Sequence, residues 1–178
     1  MKGAKKIIVI ITFIILAGST VLLSLPVNVL VIKNYHDNQV LFQKRVDAGF
    51  TFTTLIQHSV HKTPVYEHYR INSKGEIIIQ SSSFQDLGWG VPSTFDFDFK
   101  FQNNMMVIEN INIPIDFLPF RVSYIAEPYL ILDDGRKIDL TKIVDNYERI
   151  DIYVERISHI AYWIRGEVDA FPKESQKR

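Results

Sequence analysis

The 178-residue chain contains no cysteine. That excludes disulfides, thiolate metal sites, a cysteine nucleophile and a lipid-modified N-terminal cysteine. It also lacks an excess of charge, with 20 basic side chains against 20 acidic ones. Lys2, Lys5 and Lys6 are the only charges before Lys33, so the rest of the chain is slightly acidic. A nucleic-acid partner is therefore not expected, because phosphate neutralisation needs a basic face. There is no internal repeat, no low-complexity tract and no His-Glu-x-x-His zinc spacing. No motif calls for a cofactor, and no metal ligand set is assigned. The hydrophobic fraction of 47% still allows a sizeable core.

What the chain does have is one long apolar run. Residues 7–25 are uncharged and almost wholly apolar, and they follow a short basic head. At about 1.5 Å per helical residue, such a run just crosses a bilayer core of about 30 Å. The lysines should stay in the cytoplasm, which places the remainder outside. Two fates are open. The segment is a single-pass anchor in the cell membrane, or a signal peptide cleaved near Ser19, where Ala17-Gly18-Ser19 offers small residues. The run continues past that point to Leu25, which favours the anchor. The expected layout is a membrane segment at 1–25, an extracytoplasmic β-domain at 26–166 and a polar tail at 167–178.

The body of the chain reads as strands and turns. Residues 27–33 and 40–45 flank a turn-rich stretch, as do 65–71 and 76–82. Residues 50–57 are rich in Phe, Thr and Ile. Phe95, Phe97, Phe99 and Phe101 alternate with charged residues, which predicts a strand with an apolar face, paired with 105–111. Residues 129–132 and 137–140 flank Asp133-Asp134-Gly135, where Gly135 can take positive φ and the aspartates can bond nearby backbone. Ile150, Ile152 and Val154 mark a late strand. Ile157, Ile160, Ala161 and Ile164 fall on one helical stripe that ends at Gly166. On that helix His159 and Trp163 share a face, for which core packing is expected over a place near the membrane. The fold class is all-β: an antiparallel β-sandwich or small barrel, with the N-terminal helix and a short C-terminal helix.

Two clusters carry more polar chemistry than strands need. The first is His58-Ser59-Val60-His61-Lys62-Thr63-Pro64-Val65-Tyr66-Glu67. Period-two alternation places Glu67 on an apolar face with Val65, Tyr69 and Ile71, so it needs a partner, for which Lys62 or Arg121 is available. The bland interpretation is a polar network that fixes the loop; the sharper one is a binding site at a strand end. Metal binding by His58, His61 and Glu67 or His68, or acid–base hydrolysis, is the enzymatic alternative. Ser59-x-x-Lys62 matches a serine-nucleophile pattern, but its companion motifs are absent. The second cluster is Gly88-Trp89-Gly90-Val91-Pro92, a tight loop that either tucks Trp89 into the core or offers it to a partner. The candidate binding residues are His58, Ser59, Lys62, Thr63, Pro64, Glu67, Gly88, Trp89, Gly90 and Pro92.

These two clusters resemble the DUF1850 family of small exported proteins. The likeness rests on residues 56–67 and is supported by Phe84 and the Gly88–Pro92 loop. The sequence departs from the family pattern at His61, where Glu is common, and at Trp89, where a small residue is usual. The family tends to occur beside TRAP-type solute transporters of the TAXI class. The resemblance therefore implies an accessory role in uptake, with a transporter or its substrate as partner.

Overall fold

The computed structural model describes residues 2–58, 60–85 and 98–170. Helix α1 (Lys2–Ser24) stands clear of the domain. Its Ile and Leu side chains are exposed along its whole length. Three of its four hydroxyls bond within the helix: Ser19, Thr20 and Ser24 each donate to the carbonyl four residues earlier, at 2.8 Å. A helix in lipid must satisfy its polar groups in this way. Among the described residues it is the one helix long and apolar enough to cross a membrane.

Strand β1 (Pro26–Asn34) follows α1 with a single residue between them. It pairs with β2 (Val40–Val46) and with β12 (Arg149–Ser158). Between β2 and β12 the chain forms β3 (Thr51–Gln57), β4 (Pro64–Ile71), β5 (Ile77–Phe84), β6 (Phe99–Gln102), β7 (Met105–Ile108), β8 (Ile113–Ile115), β9 (Phe117–Arg121), β10 (Tyr129–Leu132) and β11 (Lys137–Asp139). Helix α2 (His159–Arg165) and β13 (Val168–Asp169) follow β12. The first sheet has the order β13-β2-β1-β12-β9. The second runs β11-β10-β3-β4-β5-β7-β6, with β8 also on β5. All pairings are antiparallel.

The core lies between the sheets. Leu30, Ile32, Phe42, Ile150 and Ile152 of the first sheet meet Phe52, Tyr69, Ile71, Ile77, Leu130 and Leu132 of the second. Burying each such aliphatic side chain contributes roughly 1.5–3 kcal/mol. The β1 sequence is apolar at successive positions because both its faces are covered. Val27, Val29 and Val31 form a smaller cluster on the outer side with Val40, Tyr153, Ile157 and Tyr162.

The β1–β2, β4–β5 and β10–β11 hairpins match expectation, as do β3 and the pairing of β6 with β7. Gly135 has φ +80°, and the Arg136 amide donates to the Asp134 carboxylate at 2.9 Å, as the turn chemistry requires. Of the phenylalanine strand, residues 99–102 form β6, where Phe99 and Phe101 are exposed; Phe95 and Phe97 lie outside the described residues. Three expectations need correcting. Ile157 belongs to β12 and not to a helix. The stripe of α2 does not pack on the core: Tyr162 turns inward, while Ile160 and Ile164 face out and Trp163 is 81% exposed. The fold also continues past Gly166, because Val168 pairs with Gln43 of β2 and the Gln43 amide donates to the Gly166 carbonyl at 2.7 Å.

β8 and β9 were not legible as strands because Pro114 and Pro119 interrupt them. Pro119 is tolerated because β9 is the outermost described strand of its sheet, where one side of the ladder needs no donor.

Candidate functional site

The register places the first polar cluster at a defined end of the molecule. β1 runs from Pro26, beside α1, to Asn34, and β12 returns from Arg149 to Ser158. Nine strand residues at about 3.3 Å each separate these ends by roughly 30 Å. The β4–β5 turn lies at the helix end: a Cβ on Gly75 would sit 2.7 Å from Asn28 Oδ1. The β3–β4 turn lies at the opposite, distal end, on the short helical turn Tyr124–Ala126 that follows β9. Strand β5 also finishes there, with Phe84 opposite Val65. The chain thus enters residues 86–97 from the same end of the sheet that holds the His58–Thr63 connection. Gly88, Trp89, Gly90 and Pro92 lie outside the described residues, as does Ser59.

His58 builds the turn. Its backbone N–H donates to Thr63 O at 2.8 Å, and the Lys62 N–H donates to His58 O at 2.9 Å. Its imidazole Nδ1 accepts from the amides of Val60 and His61, each at 3.3 Å. Nδ1 can accept only when it carries no proton. The ring therefore works as a side-chain cap for a tight connection, in the way Asn or Asp often does. Lys62 takes φ +55°, the left-handed region that closes the turn. Its Nζ donates to the Ile125 carbonyl at 3.3 Å, which ties the turn to the neighbouring helical turn. Gln57 adds a second tie, donating to Glu127 at 2.8 Å. Thr63 and Pro64 are half-buried where β4 begins.

Glu67 does not join this turn. It faces the inside of the sandwich, as its alternation with Tyr69 and Ile71 required. Its partner, however, is neither Lys62 nor Arg121. The Tyr69 hydroxyl donates to Glu67 Oε2 at 2.7 Å, while Arg121 donates to the Tyr147 carbonyl. Burial, then the Glu67 charge, push the Tyr69 phenol far above its ordinary range, so Tyr69 remains a donor. Tyr69 is in turn stacked on Phe52, with ring centroids 4.9 Å apart. Glu67 is therefore held by the core, and the sequence-predicted residues divide into a turn and an inner support. Among the described residues no three His, Asp or Glu side chains converge to hold a metal ion.

What projects from the distal end is largely apolar. Val60 is 67% exposed at the turn, and Ile125 and Tyr124 are exposed beside it, with His61 and Lys62 supplying polar groups at the same surface. Tyr124 and Ile125 were missed in the sequence because nothing local sets them apart from core residues.

A second feature lies on the outer face of the second sheet. A bulge between His68 and Tyr69 leaves Gln80 unpaired in the ladder. One extra residue inverts the alternation along β5, so Ser81 shares the outer face with His68 while Ser82 shares the inner face with Glu67. The result is an open trough of about 460 Å³ lined by Thr51, Thr53, His68, Gln80, Ser81, Glu109 and Asn110 among others. His68 Nδ1 lies 2.8 Å from the Thr53 hydroxyl, and burial lowers its pKa from 6.5. Glu109 is paired with Lys100 at 2.7 Å.

An anchor-length apolar helix running into two antiparallel sheets defines the class: a small all-β protein with an N-terminal helix able to cross a membrane. Within that class, the chain belongs to the DUF1850 family, a domain of unknown function, which it matches over residues 52–140. The matched region begins in β3 and ends just after β11, so it contains the distal turn and all of the trough lining except Thr51. No curated protein and no solved structure matches the chain.

Proposed function

We propose that the protein is a single-pass membrane protein whose β-domain lies outside the cytoplasm and works by binding, as an accessory to a solute transporter. The observation that carries this reading is the distal surface. Val60, Tyr124 and Ile125 are exposed together at the end of the domain farthest from α1. Apolar side chains gathered around a braced turn are more useful to a partner than to the isolated fold. The binding surface comprises His58, Ser59, Lys62, Thr63 and Pro64 of the turn, with Gly88, Trp89, Gly90 and Pro92 contributed from the chain that leaves β5. Glu67 supports it from within. A surface roughly 30 Å from the end of the anchor suits a partner that projects from the membrane.

The test is capture from native membranes with the full-length protein, comparing wild type with Val60→Asp and Lys62→Glu. Both residues are exposed, so both variants should fold, and Val60→Asp leaves the braces in place while Lys62→Glu also removes the tie to the Ile125 carbonyl. Recovery of transporter subunits by wild type, with at least a tenfold loss in the variants, is the expected result. Equal recovery would remove the distal surface from the reading. His58→Ala tests the brace separately: it should weaken capture and cost about 1 kcal/mol, because two amides lose their acceptor.

A second reading, capture of the transported solute itself, is favoured by the trough. Its lining is largely polar and burial lowers the pKa of its histidine, which suits a small polar solute. A solute that raises the melting temperature of wild type but not of Thr53→Val would support it.

A further inference from the structure

Helix α2 presents its most apolar face to nothing in the domain. Ile160, Trp163 and Ile164 fall at i, i+3 and i+4, on one side of the helix. They are 46%, 81% and 72% exposed. The helix is nevertheless firmly placed. Ser158 caps its first turn by accepting from the Ala161 amide at 3.2 Å, and the Gly166 N–H closes the last turn on Tyr162 O at 2.8 Å. On the other side Tyr162 packs against the Val27–Val29–Val31 cluster, accepts from the Arg45 amide at 3.1 Å and donates to Glu167 at 2.9 Å. The exposure is therefore built in by a fixed orientation.

The position of this face identifies what covers it. Pro26, which opens β1, pairs with Ser158, which closes β12. The first amide of α2, His159 N–H, donates to Leu25 O at 3.0 Å. The helix thus starts beside the last turn of α1. The apolar span Lys5–Ser24 is 20 residues long. At about 1.5 Å per residue it uses the full thickness of a hydrocarbon core of about 30 Å. Leu25, and with it the start of α2, then falls at the level of the lipid headgroups. Tryptophan is enriched at that level because its ring is apolar and its indole N–H is polar, and short amphipathic helices lie there with the apolar side down.

We infer that α2 is a membrane foot: Ile160, Trp163 and Ile164 insert into the outer interface of the bilayer that α1 crosses. The foot gives the domain a second point of contact. A single helix leaves a domain free to tilt; a helix plus a foot holds β1 and β12 in a fixed attitude and the distal surface at a set height. The inference rests on α1 remaining as an anchor, and the experiment below separates the two.

Full-length protein carrying Trp89→Phe, so that Trp163 is the sole tryptophan, is purified from membranes and its intact mass measured. It is then placed in phosphatidylcholine–phosphatidylglycerol vesicles with or without bromines near the headgroup end of the acyl chains. The expected result is retention of residues 1–25 and about twofold lower Trp163 emission in brominated vesicles, as an interfacial ring requires. An intact mass lacking the N-terminal segment overturns both the anchor and the foot. Retention of the segment with unquenched emission overturns the foot alone. Blue-shifted but unquenched emission also overturns it, since a second copy or another protein would then cover the face. Ile164→Glu in the same background should abolish the quenching while leaving the far-ultraviolet circular dichroism unchanged.

Discussion

The two ends of the domain expose apolar side chains for different reasons. At the α1 end Ile160, Trp163 and Ile164 lie on a regular capped helix, oriented by Tyr162 and by the Leu25–His159 hydrogen bond. At the distal end Val60 and Ile125 are carried on irregular backbone, braced by the His58 imidazole and the Lys62 ammonium. The proposed foot needs only apolar area at a given depth, which a helix face supplies; the proposed partner surface needs shape, which a braced turn supplies. The strands between carry the core and, on the outer face of the second sheet, the bulge and the trough.

The comparison can be broken in several places. The largest effect is expected where the ends share a strand. Leu30 is fully buried in the middle of β1, and Leu30→Ala should cost about 2–5 kcal/mol in chemical denaturation. A loss below 1 kcal/mol would mean that the ends are not joined by one continuous core. Next, Tyr69→Phe deletes the donor to Glu67 without changing the ring, and should cost about 1–3 kcal/mol. If stability is unchanged while partner capture is lost, Glu67 belongs to the binding surface itself and not to its support.

A smaller effect concerns pH. Burial lowers the His68 pKa in the folded state, so the unfolded chain binds the proton more readily. The contribution of His68 is complete above its unperturbed value of 6.5 and is lost as the pH falls through that value toward the folded one. Melting temperature should therefore decline on that acid limb, and His68→Asn should remove this part of the decline. A limb unaffected by the substitution would show that His68 is not desolvated. The smallest effect sharpens the contrast: Trp163→Ser should change stability in detergent by less than about 0.5 kcal/mol, because the ring touches little of the domain. A loss of several times that size would return Trp163 to a packing role.

Much of this architecture follows from local pattern alone. An uncharged run of nineteen residues behind a basic head reads as a membrane segment or a signal sequence, and the hairpins follow from turn residues between alternating strands. Asp134 and Gly135 behave as their chemistry dictates. The alternation through Val65, Glu67, Tyr69 and Ile71 correctly turned Glu67 inward, since side-chain direction in a strand has a period of two. What pattern could not supply were the relations between distant segments. Glu67 found its partner two residues away in Tyr69, and not in a remote cation, because the core brings the phenol within reach at lower cost than a buried lysine or arginine.

The tertiary structure alone decided three matters. It placed the polar turn roughly 30 Å from the end of α1, because strand pairing and not sequence distance sets which loops share an end. It chose Tyr162 over the isoleucine stripe as the buried side of α2, because one hydroxyl met both the Arg45 amide and Glu167 while the valine cluster on β1 received the ring. It also tolerated prolines in β8 and β9, because a strand with an unpaired side can dispense with some of its donors. Periodicity and composition act over a few residues and are written in the sequence. Pairing and burial are properties of the assembled sheets, and exist only once the chain has closed on itself.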